Sequence, residues 1–265
     1  MLRLLTLGSA ILALGAALIT TGCGSTNPTQ MRVINAISNN GTPPIALDVY
    51  VNGAKAITGV NFGSVYPGQA TPAAYLGIGV GSNEIEAFDT TTTTNPIIGT
   101  GSVDNTLTGP TVSITSGNEY TIVLAGSVGN LGNNGKNLPA PYIFLDTDIE
   151  PKSGSVLFRV IDASLALTQQ YSEGIDIYFE PNGAAIPPAQ SPQISGLTFA
   201  SDGPGYITLT QQPSYTVYAT PHGTQTVLFS FAYTQNNQQI STLLMLDNPN
   251  GSGYAKNFKE YTDLN

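Results

Sequence analysis

The sequence predicts an all-β protein that repeats one domain, and three observations carry that reading. Short apolar runs alternate with polar residues, the period of a half-buried strand, and Gly, Pro and Asn turn signals separate them about every 8–12 residues. No stretch shows a helical apolar period over roughly ten residues or more. One run, Leu47-Asp48-Val49-Tyr50-Val51 followed by Asn52-Gly53, returns as Ile175-Asp176-Ile177-Tyr178-Phe179 with Asn182-Gly183 after it. Asn-Gly after such a run is a hairpin signal. Many short strands with this turn spacing form a β-sandwich or a barrel.

In chain order, Met31–Ala36 opens the first domain as a strand, and a turn-rich connection around Asn39-Asn40-Gly41 leads to Leu47–Val51. Val60–Gly63 reads as a short strand and Tyr66-Pro67-Gly68 as a turn. Ala74–Ile78 and Asn83–Phe88 read as a strand pair around Gly79 and Gly81, and Thr90–Pro96 as a polar loop. Thr111–Ile114 and Tyr120–Leu124 are strands joined through Ser116-Gly117-Asn118. A Gly- and Asn-rich loop over 126–141 precedes the closing strand Tyr142–Leu145.

Glu150–Gly154 reads as the linker, after which the series restarts. Phe158–Ala163 echoes Met31–Ala36, Leu197-Thr198-Phe199 echoes Val60-Asn61-Phe62, and Tyr206–Leu209 echoes Tyr75–Ile78. Tyr215–Ala219 takes the place of Glu84–Phe88, and Val227–Phe231 and Thr242–Leu246 continue the series. The tail from Phe258 to Asn265 is polar and is expected to pack only in part. A spacing of about 127 residues, as from Arg32 to Arg159, is too long for a solenoid and indicates two whole domains.

Composition narrows the function. A hydrophobic content of 41% supports a packed core rather than a disordered chain. The net charge of −9 and the lack of any basic cluster argue against a nucleic-acid partner. One Cys excludes an intramolecular disulfide, and one His leaves no second imidazole for a transition metal.

The amino terminus reads as an export signal. Met1-Leu2-Arg3 supplies one positive charge, Leu4–Ile19 is apolar or small, and Thr20-Thr21-Gly22-Cys23 follows. The apolar run is short for a membrane span, which takes about 20 residues. Gly22-Cys23 resembles the lipobox of bacterial lipoprotein signals, with Thr20 where Leu is commonest. That resemblance implies cleavage between Gly22 and Cys23, lipidation of Cys23, and a flexible tether over 23–30 that holds the chain to the bilayer. Gly24, where that family's sorting rule puts Asp for inner-membrane retention, implies an outer-membrane location.

The repeated motifs resemble the bacterial family catalogued as domain of unknown function 4397. The residues concerned are Arg32-Val33-Ile34-Asn35-Ala36, Arg159-Val160-Ile161-Asp162-Ala163-Ser164, Leu47–Gly53, its looser copy Ile175–Gly183, and the closing strand Tyr120–Leu124. Asn35 and Asp162 stand where that family usually carries His. The resemblance implies secreted or surface-attached immunoglobulin-like β-sandwiches. The expected architecture is therefore a cleaved lipoprotein signal peptide (1–22), then two tandem immunoglobulin-like antiparallel β-sandwich domains over 31–150 and 155–265.

Candidate chemistry is sparse. Arg32 with Asp48, and Arg159 with Asp176, are expected as exposed cross-strand ion pairs, with a carboxylate site as the sharper alternative. Asp146-Thr147-Asp148-Ile149-Glu150 is expected as a solvated domain edge; it could offer oxygen ligands to Ca²⁺ but has no EF-hand spacing. His222 is expected in a surface turn, with no Gly-X-Ser-X-Gly elbow anywhere to suggest a hydrolase. Gly77-Ile78-Gly79-Val80-Gly81 reads as a hairpin region rather than a dinucleotide loop. Tyr50 and Tyr178 recur on the outward strand face as the candidate stacking surface for sugars, with cross-strand packing as the alternative. No cofactor, metal or catalytic residue is expected. The expectation is a membrane-anchored, non-catalytic binding or structural module of the cell envelope, with envelope proteins or polysaccharide as partner classes. A glycan- or polymer-binding accessory protein and a hydrolase are the alternatives.

Overall fold

Among the described residues the strands assemble into four sheets, two per domain. The computed structural model describes residues 28–39, 44–68, 74–92, 94–100, 108–128, 138–147, 149–181, 183–234, 236–249 and 253–264. The signal peptide, Gly22, Cys23 and the tether up to Asn27 lie outside the described residues.

In the first domain, one sheet places β1 (Gln30–Ser38) between β8 (Glu119–Ser127) and the short strands β4 (Val65–Tyr66) and β5 (Leu76–Gly77). β9 (Ala140–Leu145) lies outside β8. The facing sheet runs β3 (Ala54–Val60), β2 (Leu47–Val51), β6 (Gly81–Asp89), β7 (Thr111–Ile114). The second domain repeats this plan. One sheet runs β13 (Ile207–Thr210), β10 (Ser155–Asp162), β16 (Ile240–Asp247), β17 (Tyr254–Leu264). The other runs β12 (Ile194–Leu197), β11 (Ile175–Pro181), β14 (Tyr215–Pro221), β15 (Phe229–Tyr233). Among the described residues the only helix is α1 (Leu165–Gln170), whose first turn is capped by Ser164 Oγ accepting from the Leu167 amide. No described helix is long and apolar enough to cross a membrane.

Alternation builds each core. Met31, Val33 and Ile37 of β1 face Leu47 and Val49 of β2, with Ile85, Ile122 and Leu124 between the same two sheets. The second core holds the equivalents and is more aromatic, with Phe158 against Phe179, Tyr215 and Tyr233. The Asn52-Gly53 turn has φ of 51° and 75°, which matches the right-handed strand twist and joins β2 to β3.

Several details differ from the sequence expectation. The sandwiches are not wholly antiparallel, because β1 pairs parallel with β8, and β10 with β16. The crossover that a parallel pair requires is the opposite sheet itself. Val60–Gly63, expected as a short strand, is the end of β3 (Ala54–Val60), the hairpin partner of β2, and the turn that follows it. β5 and β6 are not a pair: β5 joins β1 and β6 joins β2 in the other sheet. The carboxyl-terminal tail is the full edge strand β17, with Phe258, Tyr261 and Asp263 buried.

That strand closes the contact between the domains. The β1 sheet and the β10 sheet turn their second faces to each other and bury Ile34, Ala36, Val123 and Phe144 against Ile161, Ala163, Leu244 and Tyr261. Within this layer lie four buried charges in a reciprocal exchange. Arg32 binds Asp263 of the other domain and donates to the Thr262 carbonyl at 3.1 Å. Arg159 binds Asp146 of the other domain at 2.6 Å and donates to the Leu145 carbonyl at 3.0 Å. Each Arg Nε donates to its own domain's threonine, Thr121 at 2.8 Å or Thr242 at 3.1 Å. Each aspartate accepts from its own domain's tyrosine, Tyr75 to Asp146 at 2.8 Å and Tyr206 to Asp263 at 2.6 Å. The strand registers confirm the equivalence: Arg32 opposes Thr121, and Arg159 opposes Thr242.

Burial would push the Asp146 carboxyl up, but Arg159 and Arg32 hold it below the usual carboxylate range. Removing one member of such a cluster strands its partner's charge without water. Asp263→Asn is therefore expected to cost about 3–5 kcal/mol of folding free energy in urea titration. A loss below about 1 kcal/mol, the scale of an exposed pair, would show that the cluster is not structural.

Candidate functional site

The residues singled out from the sequence fall into three places. Arg32 and Arg159 go to the domain interface and do not meet Asp48 or Asp176. Both arginines are almost wholly buried, so they are not the exposed cross-strand partners expected. Asp146 joins them there, so the acidic stretch 146–150 is not a uniformly solvated edge. Asp148 lies outside the described residues.

Asp48 and Asp176 instead organise equivalent turns on the outer sheets. Asp48 accepts from the Gly59 amide at 3.0 Å and from Lys55 Nζ at 2.6 Å. Asp176 accepts from the Gly196 amide at 2.8 Å and the Gly223 amide at 2.9 Å. His222 Nδ1 lies 2.8 Å from the same carboxylate, and Ser195 Oγ donates to it at 3.1 Å. Burial would raise the Asp176 pKa, but the bonds from His222 and the two glycine amides hold it below its ordinary value. The hydrogen bond to Asp176 in turn raises the His222 pKa.

Ser195, His222 and Asp176 thus converge, but not as a relay. Ser195 Oγ approaches Nδ1 at 3.4 Å, the nitrogen already facing Asp176. A relay places the carboxylate on one ring nitrogen and the hydroxyl on the other. The trio is a turn clasp with a half-exposed imidazole.

Tyr50 and Tyr178 stand on the face away from the cores, as the strand period requires, but each is only 3% exposed. Tyr50 packs edge-on against Phe88 with centroids 5.3 Å apart, and Lys55 Nζ lies 5.5 Å from its ring centroid. Beside Tyr178, its cross-strand partner Tyr218 donates to the Ala184 carbonyl at 3.0 Å, and Gln225 donates to the Pro187 carbonyl at 3.0 Å. Neither ring offers an open stacking surface; cross-strand packing, the alternative reading, is what the structure gives them.

Three further residues carry unusual environments. Asn35 donates to the Ile45 and Val60 carbonyls at 2.7 and 2.9 Å, and its carbonyl accepts from the Ile37 amide at 3.0 Å. Asp162, at the equivalent position, accepts from the Ser164 amide at 2.9 Å and from the Thr168 hydroxyl at 3.4 Å. Burial, with Asp247 nearby, pushes its carboxyl up to about 7. Glu86, unremarked in the sequence, is fully buried, and burial raises its pKa against a lowering backbone contact from Gly53. Gly109 makes room for it: a Cβ there would fall 2.9 Å from Glu86 Cγ and 2.5 Å from the Ile85 carbonyl oxygen. Among the described residues no three His, Cys, Asp or Glu side chains converge as a metal-binding set.

A profile of the family described as Domain of unknown function (DUF4397) matches residues 29–169, which takes in the first domain and enters the second as far as α1. No curated protein matches the chain. A solved structure described as "Alpha-glucan binding by a streptococcal virulence factor" is similar over 86% of this chain and 97% of its own, at 10% identity and a TM-score of 0.25.

Two titrations test these environments. Because the folded pKa of Asp162 lies above the unfolded value, its contribution is fully present below pH 4 and is lost as pH rises through about 7. Asp162→Asn, which copies Asn35, is expected to remove that loss and to be the more stable protein at pH 8 by on the order of a few kcal/mol in denaturant titration. A variant less stable than wild type at pH 8 would contradict the assignment. For the chain's single histidine, the NMR titration midpoint is expected above 6.5, with Asp176→Asn lowering it towards 6.5. His222 likewise stabilises the fold below pH 6.5 and ceases to do so as pH rises through its raised pKa.

Proposed function

The chain belongs to the family described as Domain of unknown function (DUF4397), and from that premise we propose that it is a lipid-anchored, non-catalytic binding or structural module of the bacterial cell envelope. The observation that carries the reading is the placement of the only cysteine. Cys23 follows an apolar export segment and small residues, and the first strand begins seven residues later. A thiol is the nucleophile from which a lipid-transfer reaction makes a thioether, and several acyl chains on one residue give stable anchoring. Cleavage falls between Gly22 and Cys23, and Gly24 favours the outer membrane.

The non-catalytic part of the reading has its own support. The Ser195, His222 and Asp176 contacts share one ring nitrogen, and the Asp146 and Asp263 carboxylates are engaged in ion pairs between the domains. Two β-sandwiches locked by buried charge form a stiff body suited to holding a surface at a fixed distance from the membrane. Polysaccharide binding would need a surface other than Tyr50 and Tyr178, since both are covered.

Cys23→Ser is expected to abolish incorporation of labelled fatty acid in cells; undiminished labelling would refute the anchor. Protease treatment of intact and lysed cells then assigns the face of the membrane on which the domains stand.

A further inference from the structure

We propose that the end of the first domain at which the tether enters is apposed to the bilayer, with Val80 and Ile149 reaching the headgroup region and Leu145 flanking them. The proposal rests on the lipid anchor above. Among the described residues five large apolar side chains are exposed, and three of them, Val80 at 61%, Leu145 at 56% and Ile149 at 74%, collect at this end. Their place follows from the strand register. Gln30, the first residue of β1, pairs with Glu119 on one side and Gly77 on the other. The Ile78 amide bonds the Thr29 carbonyl, so Val80 lies past the start of β1, towards the tether. Leu145 pairs with Tyr120, and the Asp146 amide bonds the Glu119 carbonyl, so the chain leaves β9 at the same level and Ile149 lies beyond it. The other two exposed side chains are elsewhere: Leu138 precedes β9, whose Ala140 pairs with Ala125 far along β8, and Val227 precedes β15 near the His222 turn.

The tether makes the bilayer the occupant of this face. Cys23 is seven residues from Gln30, a reach of at most about 25 Å, so this end cannot stand far from the membrane that holds the acyl chains. Short tethering raises the effective concentration of the face at the lipid surface, where modest apolar contacts suffice. Two clefts open here. One of about 340 Å³ is walled by Met31, Leu76 and Ile78, and one of about 330 Å³ by Ile149, Pro151 and Leu157. Lys152, exposed beside the second, can extend its ammonium to headgroup phosphate. Glu84, Glu119 and Glu150 stand at the same end, so the attachment rests on apolar contact and tethering rather than on net charge.

The test uses the lipidated protein reconstituted in phosphatidylethanolamine–phosphatidylglycerol vesicles. Because the Cys23 sulfur is tied up as a thioether, Val80→Cys, Ile149→Cys, Leu138→Cys and Val227→Cys each offer one thiol for an environment-sensitive fluorophore. Nitroxide-labelled lipid is expected to quench the probes at 80 and 149 about twofold or more beyond those at 138 and 227, the depth range of a side chain in the interface. Equal quenching at all four positions in protein that floats with the vesicles would overturn the proposal and leave the anchor standing. Protein that neither floats nor carries fatty acid would overturn the anchor, and the proposal with it.

Discussion

The exchange of Arg32 and Arg159 for carboxylates of the opposite domain is the constraint on which the rest of the structure depends. A guanidinium removed from water is tolerated only when paired and hydrogen-bonded. Here each guanidinium takes an aspartate, a threonine and a backbone carbonyl, and the two arginines and two aspartates sum to no net charge. Neither domain can complete this set alone, because each supplies the cation for the other's anion. Buried charge therefore holds the two domains to each other, and the strand that presents Asp263 is indispensable although it is the last described.

Around that shared layer the two copies have diverged at matched backbone positions. Asn35 and Asp162 make the same backbone ladder contacts, to Ser64 and Gly63 in one copy and to Ser201 and Ala200 in the other. Yet one is a satisfied amide and the other a buried acid. Gly63 has φ of 67° and Ala200 φ of 59°, so the second copy carries a Cβ in a left-handed turn that the first leaves to glycine. Lys55 of β3 and His222 of the turn after β14 face equivalent aspartates. The second copy thus holds both Asp162, pushed up to about 7, and the chain's single histidine, whose pKa Asp176 raises.

Much of the fold was legible. The alternation at Leu47–Val51 and Ile175–Phe179 located the core strands, Asn52-Gly53 located a hairpin, and the echo of Tyr75 in Tyr206 survives as two equivalent hydroxyls on two equivalent aspartates. What escaped has a common physical cause. Periodicity reports which face of a strand a residue takes, not what lies over that face. Tyr50, Tyr178, Arg32 and Arg159 all point away from their own cores, as read, and all are covered by something distant in sequence. The polar look of Phe258–Asn265 misled for the same reason: Asp263 is polar because it serves a buried arginine. Glu86 gave no signal at all, since its cover comes from the turns around Gly99 and Gly109.

The reciprocity of the interface also bears on how such a pair arises. The arginine–aspartate and arginine–carbonyl contacts that one half makes to the other are returned from the equivalent residues, which is the rule of a self-complementary twofold dimer. A solitary domain of this kind would expose an arginine, a threonine and an aspartate set in an apolar sheet face, a surface that matches a second copy of itself. Joined in one chain, the halves share a set of bonds that neither completes without the other.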